Sequence, residues 1–273
     1  MIKSTILLLC TCLLSLGLLA QQPTTYLTEQ NVPYYPDSIY DNYKSERCRL
    51  DIYYPKGEKD IPVIVWFHGG GLTEGNREIP EALKSKGLAV IAVGYRLSPK
   101  VTVPAIIEDA ATAVAWAFKN APKYGISPKK IFVSGHSAGA YLSLMITLDK
   151  SYLAKQQVDA NKIAGVISFS GQTITHFTLR KERGLPDTQP VIDAYAPLYH
   201  VRKDAPPVLL LTGDPELELL GRYEENAYLA RMLKLTGHGQ TKLCMFQGYG
   251  HAMTEPGFPL LLKEVQERSK AIQ

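Results

Sequence analysis

Cysteine is scarce in this chain. Four occur in 273 residues, and two of them, Cys10 and Cys12, fall within the first twenty, which leaves Cys48 and Cys244 for the body of the protein. Two thiols in strand-like segments do not make a disulfide framework, and no Cys/His spacing resembles a zinc site. Both read as buried structural thiols. Long apolar runs are lacking too. The longest, residues 6–20, spans about 15 residues, short of the roughly 20 that cross a bilayer as a helix. No stable membrane span is expected. Charge of one sign is weak: the formal net charge of +4 is too mild and too evenly spread to argue for nucleic acid or an anionic membrane as partner. There is no internal repeat and no low-complexity linker.

The apolar run has another reading. Lys3 precedes it, and Ala20 offers a small residue at a cut before Gln21, so residues 1–20 read as a removable export signal. Acylation at Cys10 or Cys12 is the less favoured alternative, since neither follows the small residue such a site needs. Export to the periplasm or the exterior is therefore expected. The remaining 250 or so residues suit one α/β domain with a full core.

Residues 21–45 are polar and rich in Pro and Tyr, and are expected to wrap a domain occupying residues 46–273. Residues 47–54 alternate polar and apolar, the pattern of a half-exposed strand. Residues 63–67 and 89–93 are short continuous apolar runs, as in strands covered on both faces. Between them, residues 78–86 look helical. Further strands are expected at 131–134, 163–169, 208–212 and 243–246, and helices at 104–120, 138–149, 223–235 and 258–270. This alternation predicts a mostly parallel sheet of about eight strands with helices on both faces. Residues 172–205 break the rhythm and form a candidate lid or substrate wall over the strand ends, where open α/β sheets bind ligands.

Two motifs carry chemistry. Gly135-His136-Ser137-Ala138-Gly139 has the G-x-S-x-G form between a predicted strand and a predicted helix. Such a turn needs residues without bulk beside the Ser, and it lifts the hydroxyl out at the helix N-terminus. Ser137 is the candidate nucleophile. His68-Gly69-Gly70-Gly71 directly follows another buried strand. Bare amides there, at Gly70 and Gly71, together with that of Ala138, could hold an oxyanion.

A serine hydroxyl is a poor nucleophile at neutral pH and needs a base in hydrogen-bond reach. The candidates are His68, His136, His176, His200, His238 and His251. In this type of fold the chain order is Ser, acid, His, which leaves His238 and His251. His238 precedes the last predicted strand and so sits at the wrong end of the sheet. His251 follows that strand and is the candidate base. The acid should come just after residues 208–212, where Asp214, Glu216 and Glu218 all compete; spacing alone does not choose among them.

These motifs, with Gly94-Tyr95-Arg96-Leu97-Ser98-Pro99, Asp109, Trp116, Ala205-Pro206-Pro207-Val208 and Gly250-His251, resemble the esterase/lipase branch of the α/β-hydrolases. Within that branch the chain resembles the hormone-sensitive-lipase-like and bacterial feruloyl-esterase-like groups. The resemblance runs from about residue 45 to 265. It implies the α/β-hydrolase fold, a serine carboxylic ester hydrolase working through an acyl-enzyme, and no cofactor or metal. It implies a small-molecule or carbohydrate ester as substrate, acyl or feruloyl esters of sugars among them. The family's acid lies three residues after a Gly like Gly213, which places it at Glu216, with Asp214 as the alternative; family members mostly carry Asp there. Tyr95, Arg96 and Asp109 are implied to be structural ties. The competing functions are an amide-bond hydrolase (formamidase or peptidase) on the same fold, and a non-catalytic binding protein on a hydrolase scaffold.

Overall fold

The computed structural model describes residues 24–36 and 41–272, so the expected export signal lies outside the described residues. In chain order the main elements are β1 Tyr26–Pro33, α1 Asn42–Arg47, β2 Arg49–Pro55, β3 Ile61–Phe67, β4 Ala89–Val93, α2 Val103–Asn120, β5 Ile126–His136, α3 Ala138–Leu148, α4 Lys150–Ala154, β6 Gly165–Phe169, α5 Phe177–Glu182, β7 Val208–Gly213, α6 Arg222–Leu235, β8 Thr241–Phe246 and α7 Thr254–Ala271. The strands form an eight-stranded sheet in the order β1-β2-β4-β3-β5-β6-β7-β8. β2 runs antiparallel to both β1 and β4, and all pairs from β4-β3 through β7-β8 are parallel.

The apolar strands explain the layering. Side chains alternate across a strand, so Val63, Val65 and Phe67 of β3 join the core beneath α2, α3 and α6. Ile64 and Trp66 face the opposite core, where Phe258, Leu261 and Val265 of α7 cover them. α3 is the helix at the centre: every residue from Ala138 to Leu148 is buried. Its Ser and Thr hydroxyls stay satisfied by bonding back one turn, Ser143 to the Gly139 carbonyl at 3.0 Å and Thr147 to the Ser143 carbonyl at 2.7 Å.

Three sequence expectations change. Residues 21–45 do not merely wrap the domain, because Tyr26–Pro33 is an edge strand paired with β2. The helix expected at 78–86 shrinks to one 3₁₀ turn at Glu81–Leu83; Pro80 offers no N–H, and Ser85 and Gly87 both take positive φ. Cys48 is buried as expected, its thiol pushed up to about 12 mainly by that burial, but Cys244 is only half-buried. Among the described residues no helix is long and apolar enough to cross a membrane.

Residues 172–205, the candidate lid or wall, are tied to the rest of the domain at several points. Thr178 Oγ1 bonds the Gly71 carbonyl, Ser98 Oγ bonds Glu182 at 2.6 Å, and the Tyr141 hydroxyl bonds the Tyr195 carbonyl at 2.8 Å.

Asp109 ties the N-terminal segment to the sheet. Its fully buried carboxylate accepts Arg96 Nε at 2.8 Å, Arg96 Nη2 at 2.7 Å and the Tyr35 hydroxyl at 2.6 Å. Removing one member of such a pair strands the other charge. Asp109→Ala is therefore expected to lower unfolding free energy by about 3 kcal/mol in chemical denaturation.

Candidate active site

Parallel register brings the ends of β5, β6, β7 and β8 to one edge: Gly135 pairs with Ser168, Phe169 with Leu211, and Gly213 with Phe246. Ser137 sits where β5 turns into α3, with φ 55° and ψ −115°. That left-handed φ is unusual for a residue with a side chain and costs on the order of 1–3 kcal/mol. The surroundings enforce it. Ser137 N donates to the Phe169 carbonyl at 2.8 Å, and its own carbonyl accepts Tyr141 N at 3.0 Å. A Cβ at Gly135 or Gly139 would meet the Phe67 carbonyl oxygen at 2.6 or 2.1 Å, so bulk on either side of the turn has no room.

The imidazole of His251 lies against the hydroxyl, with Nε2 2.8 Å from Ser137 Oγ. On its other side Nδ1 is 2.6 Å from Glu218 Oε1. With Nδ1–H donated to that carboxylate, Nε2 is free to accept the serine proton. The Glu218 carboxylate is buried. Burial alone would raise its pKa, but hydrogen bonds from His251, Ser170 and the Leu219 amide outweigh that and hold it down at about 2.

The resemblance pointed to Glu216 with Asp214 as alternative; neither reaches His251. Asp214 ties the loop together instead, its carboxylate accepting Gly248 N at 3.0 Å and Glu216 N at 3.1 Å. Leu217 N and Glu218 N both return to the Asp214 carbonyl, at 3.0 and 2.8 Å. In this helix-like turn a residue four positions on shares a face with Asp214, whereas Glu216 turns outward and is exposed. Asp followed by Pro is a turn starter, and Asp214 accepting an N–H two residues ahead is an Asx turn. That local cue marks a turn but does not by itself single out Glu218.

Ser170 was missed entirely. It follows β6 with φ 51°. Its Oγ donates to Glu218 Oε2 at 2.7 Å and lies 2.9 Å from His251 Nδ1. Arg222 Nη1 fixes it from behind by bonding its carbonyl. Only its place just past a strand end hinted at this.

The glycine loop lies across from the hydroxyl. A Cβ at Gly69 would be 3.6 Å from Ser137 Cβ, and one at Gly70 would strike the Glu74 carbonyl oxygen at 2.3 Å. Among the described residues the amides of Gly70, Gly71 and Ala138 donate to no protein acceptor. His68 braces the loop. Its ring stacks on Tyr95 at 4.2 Å, and burial lowers its pKa to about 4. His136 supports the His251 backbone, its Nε2 donating to the His251 carbonyl at 2.8 Å. His176 is buried in the wall, and His200 faces Asp149. His238 lies at the far end of the sheet, bonded to Thr241 and the Ala205 carbonyl. Among the described residues no group of His, Cys, Asp and Glu is arranged to hold a metal ion.

Fold and site together define an α/β-hydrolase. The chain belongs to the BD-FAE family, whose model matches residues 50–217. That span holds the glycine loop and Ser137 but stops before Glu218 and His251. Carboxylic ester hydrolase LipN of Mycobacterium tuberculosis is 36% identical over 100 residues, 34% of this chain and 27% of LipN. Probable carboxylesterase 1 of Arabidopsis thaliana is 29% identical over 154 residues, 49% of this chain and 48% of the relative. The chain thus spans about a quarter to a half of the curated relatives it matches. Among solved structures, a truncated carbohydrate esterase from gut microbiota superposes with a TM-score of 0.74 at 21% identity, covering 92% of this chain and 99% of that one. An esterase of Thermogutta terrifontis gives 0.69 at 22%, covering 88% and 94%.

Two predictions follow from the carboxylate. Glu218→Gln should slow nitrophenolate release from 4-nitrophenyl acetate by about 10³–10⁴-fold, and Glu216→Gln by less than about twofold; stopped-flow absorbance reads both. Because the folded pKa of Glu218 lies below its ordinary value of about 4.5, its charge stabilises the fold above that pH and ceases to do so as pH falls toward 2. Denaturation curves should show the difference between wild type and Glu218→Gln at its full size near pH 7 and narrowing below about pH 4.5.

Proposed function

We propose that this protein is a serine carboxylic ester hydrolase working through an acyl-enzyme on Ser137. The observation that carries the reading is the continuous relay Ser137 Oγ–His251 Nε2 at 2.8 Å and His251 Nδ1–Glu218 Oε1 at 2.6 Å, set beside three uncommitted amides. Ser137 Oγ attacks the ester carbonyl carbon while His251 Nε2 takes its proton. The carbonyl oxygen becomes an oxyanion, held by the N–H groups of Gly70, Gly71 and Ala138. Each such donor contributes about 2.7–4 kcal/mol to lowering the barrier. The tetrahedral species collapses, the C–O bond to the alcohol breaks, and His251 returns the proton to the leaving oxygen. Water then attacks the acyl carbon, giving its proton to His251, and the acid leaves as Ser137 recovers its hydrogen. Glu218 stabilises the imidazolium in both halves and keeps the ring in the tautomer that leaves Nε2 open.

Ester rather than amide cleavage is supported by the carboxylesterases and carbohydrate esterases to which the chain is similar. A small-molecule or carbohydrate ester is the proposed substrate, with acyl or feruloyl esters of sugars as its specific form. Export is proposed on the leader-like residues 1–20.

Purified protein should hydrolyse 4-nitrophenyl acetate, and Ser137→Ala should lose about 10⁴-fold or more in kcat while keeping its circular dichroism spectrum. A variant as active as wild type would overturn the assignment.

A further inference from the structure

A cleft of about 1020 Å³ opens between residues 186–192 and the start of α6. Two of its lining residues adjoin elements that carry the site. Phe177, on its inner wall, stands so close to the glycine loop that a Cβ at Gly71 would meet its ring at 3.0 Å. Leu219, on the opposite wall, follows directly on Glu218. The walls are largely apolar, with Ile192, Leu220 and Tyr228 exposed at 49%, 91% and 51%.

Arg180 also lines this cleft and is out of keeping with it. The side chain is only 3% exposed, and among the described residues it forms no ion pair. Nη1 donates to the Gln189 carbonyl, while Nε is buried without a hydrogen-bond partner. Desolvation lowers its pKa, with Glu225 and Asp187 feeling its charge only at longer range. The other cation here is already committed: Arg222 pairs with Glu225 at 3.3 Å and bonds the Ser170 carbonyl. Glu225 in turn accepts Thr173 N at 2.6 Å and Ile174 N at 3.0 Å. Asp187 and Glu224 are exposed at the rim, where water screens them. A buried guanidinium with unfilled donors is costly unless an anion completes it.

We propose that Arg180 is a specificity residue that receives a carboxylate carried by the substrate, while the apolar walls hold the carbon skeleton next to it. The fork of Arg donors suits the two oxygens of a carboxylate. This assignment rests on the ester-hydrolase reading and adds to it the charge of the ester that the site prefers. The carboxylate could stand on the acyl side or on the alcohol side of the scissile bond, and two matched substrate pairs distinguish these.

The first pair is mono-4-nitrophenyl succinate against 4-nitrophenyl pentanoate; the second is 4-acetoxybenzoate against its methyl ester. Wild type should favour the anion in one pair by about tenfold or more in kcat/KM, mainly through KM. Arg180→Met should abolish that preference and leave the neutral ester within about twofold, whereas Arg180→Lys should retain part of it. Neutral-ester turnover that survives in Arg180→Met also establishes that the variant is folded. No anion preference in either pair, or a preference that persists in Arg180→Met, overturns the proposal. If even neutral esters are not turned over, the hydrolase reading is what fails. Calorimetric titration with glutarate and with benzoate then tests Arg180 separately: binding to wild type and not to Arg180→Met supports the site, and equal or absent binding refutes it.

Discussion

At Ser137 the backbone is forced through a left-handed φ of 55° because the strand before it and the helix after it crowd the same carbonyl of β3. Gly135 and Gly139 have no alternative there, and the serine hydroxyl has nowhere to go but outward, toward the edge where the other strands end. The rest of the site is arranged around that point. α3 is buried from end to end and cannot shift to relieve the strain. The parallel neighbours fix where their own loops begin. Local strain of this size persists only where packing over-determines the backbone, and the two cores on either face of the sheet supply that packing.

The acid illustrates a different kind of control. β7 ends at Gly213, and a Cβ there would run into the Tyr249 carbonyl oxygen at 2.5 Å. The loop carrying His251 is thereby held directly over the loop carrying the carboxylates. Asp214 closes the two loops on one another through Gly248 and Tyr249, and Glu218 reaches the imidazole from the turn that Asp214 starts. Ser170 completes this arrangement by giving Glu218 a further donor beside His251 and the Leu219 amide. A carboxylate with several donors stays ionised, and an ionised partner is what an imidazole that must become positive requires.

Much of this was legible from the residues. The continuous apolar runs that became β3 and β4 read as strands covered on both faces, and the G-x-S-x-G and His-Gly-Gly-Gly stretches marked where hydroxyl and bare amides meet. His251 was separable from His238 because the two flank β8 at opposite ends. The acid was not legible, because Asp214, Glu216 and Glu218 fall within five residues and only the geometry of the turn assigns them faces. Ser170 lay hidden for the same reason: a lone Ser after a strand acquires meaning only when the neighbouring loops are in place. β1 was read as wrapping because its edge position leaves it mostly polar, without the continuous apolar signature of an inner strand.

The account depends on one hydroxyl being made reactive by one imidazole. Incubation with a fluorophosphonate probe, followed by peptide mass spectrometry, tests this directly. The expected result is a single phosphonylated residue, Ser137, with labelling slowed by orders of magnitude in His251→Ala. Labelling at another residue, or labelling of Ser137 at an unchanged rate without His251, would contradict the account.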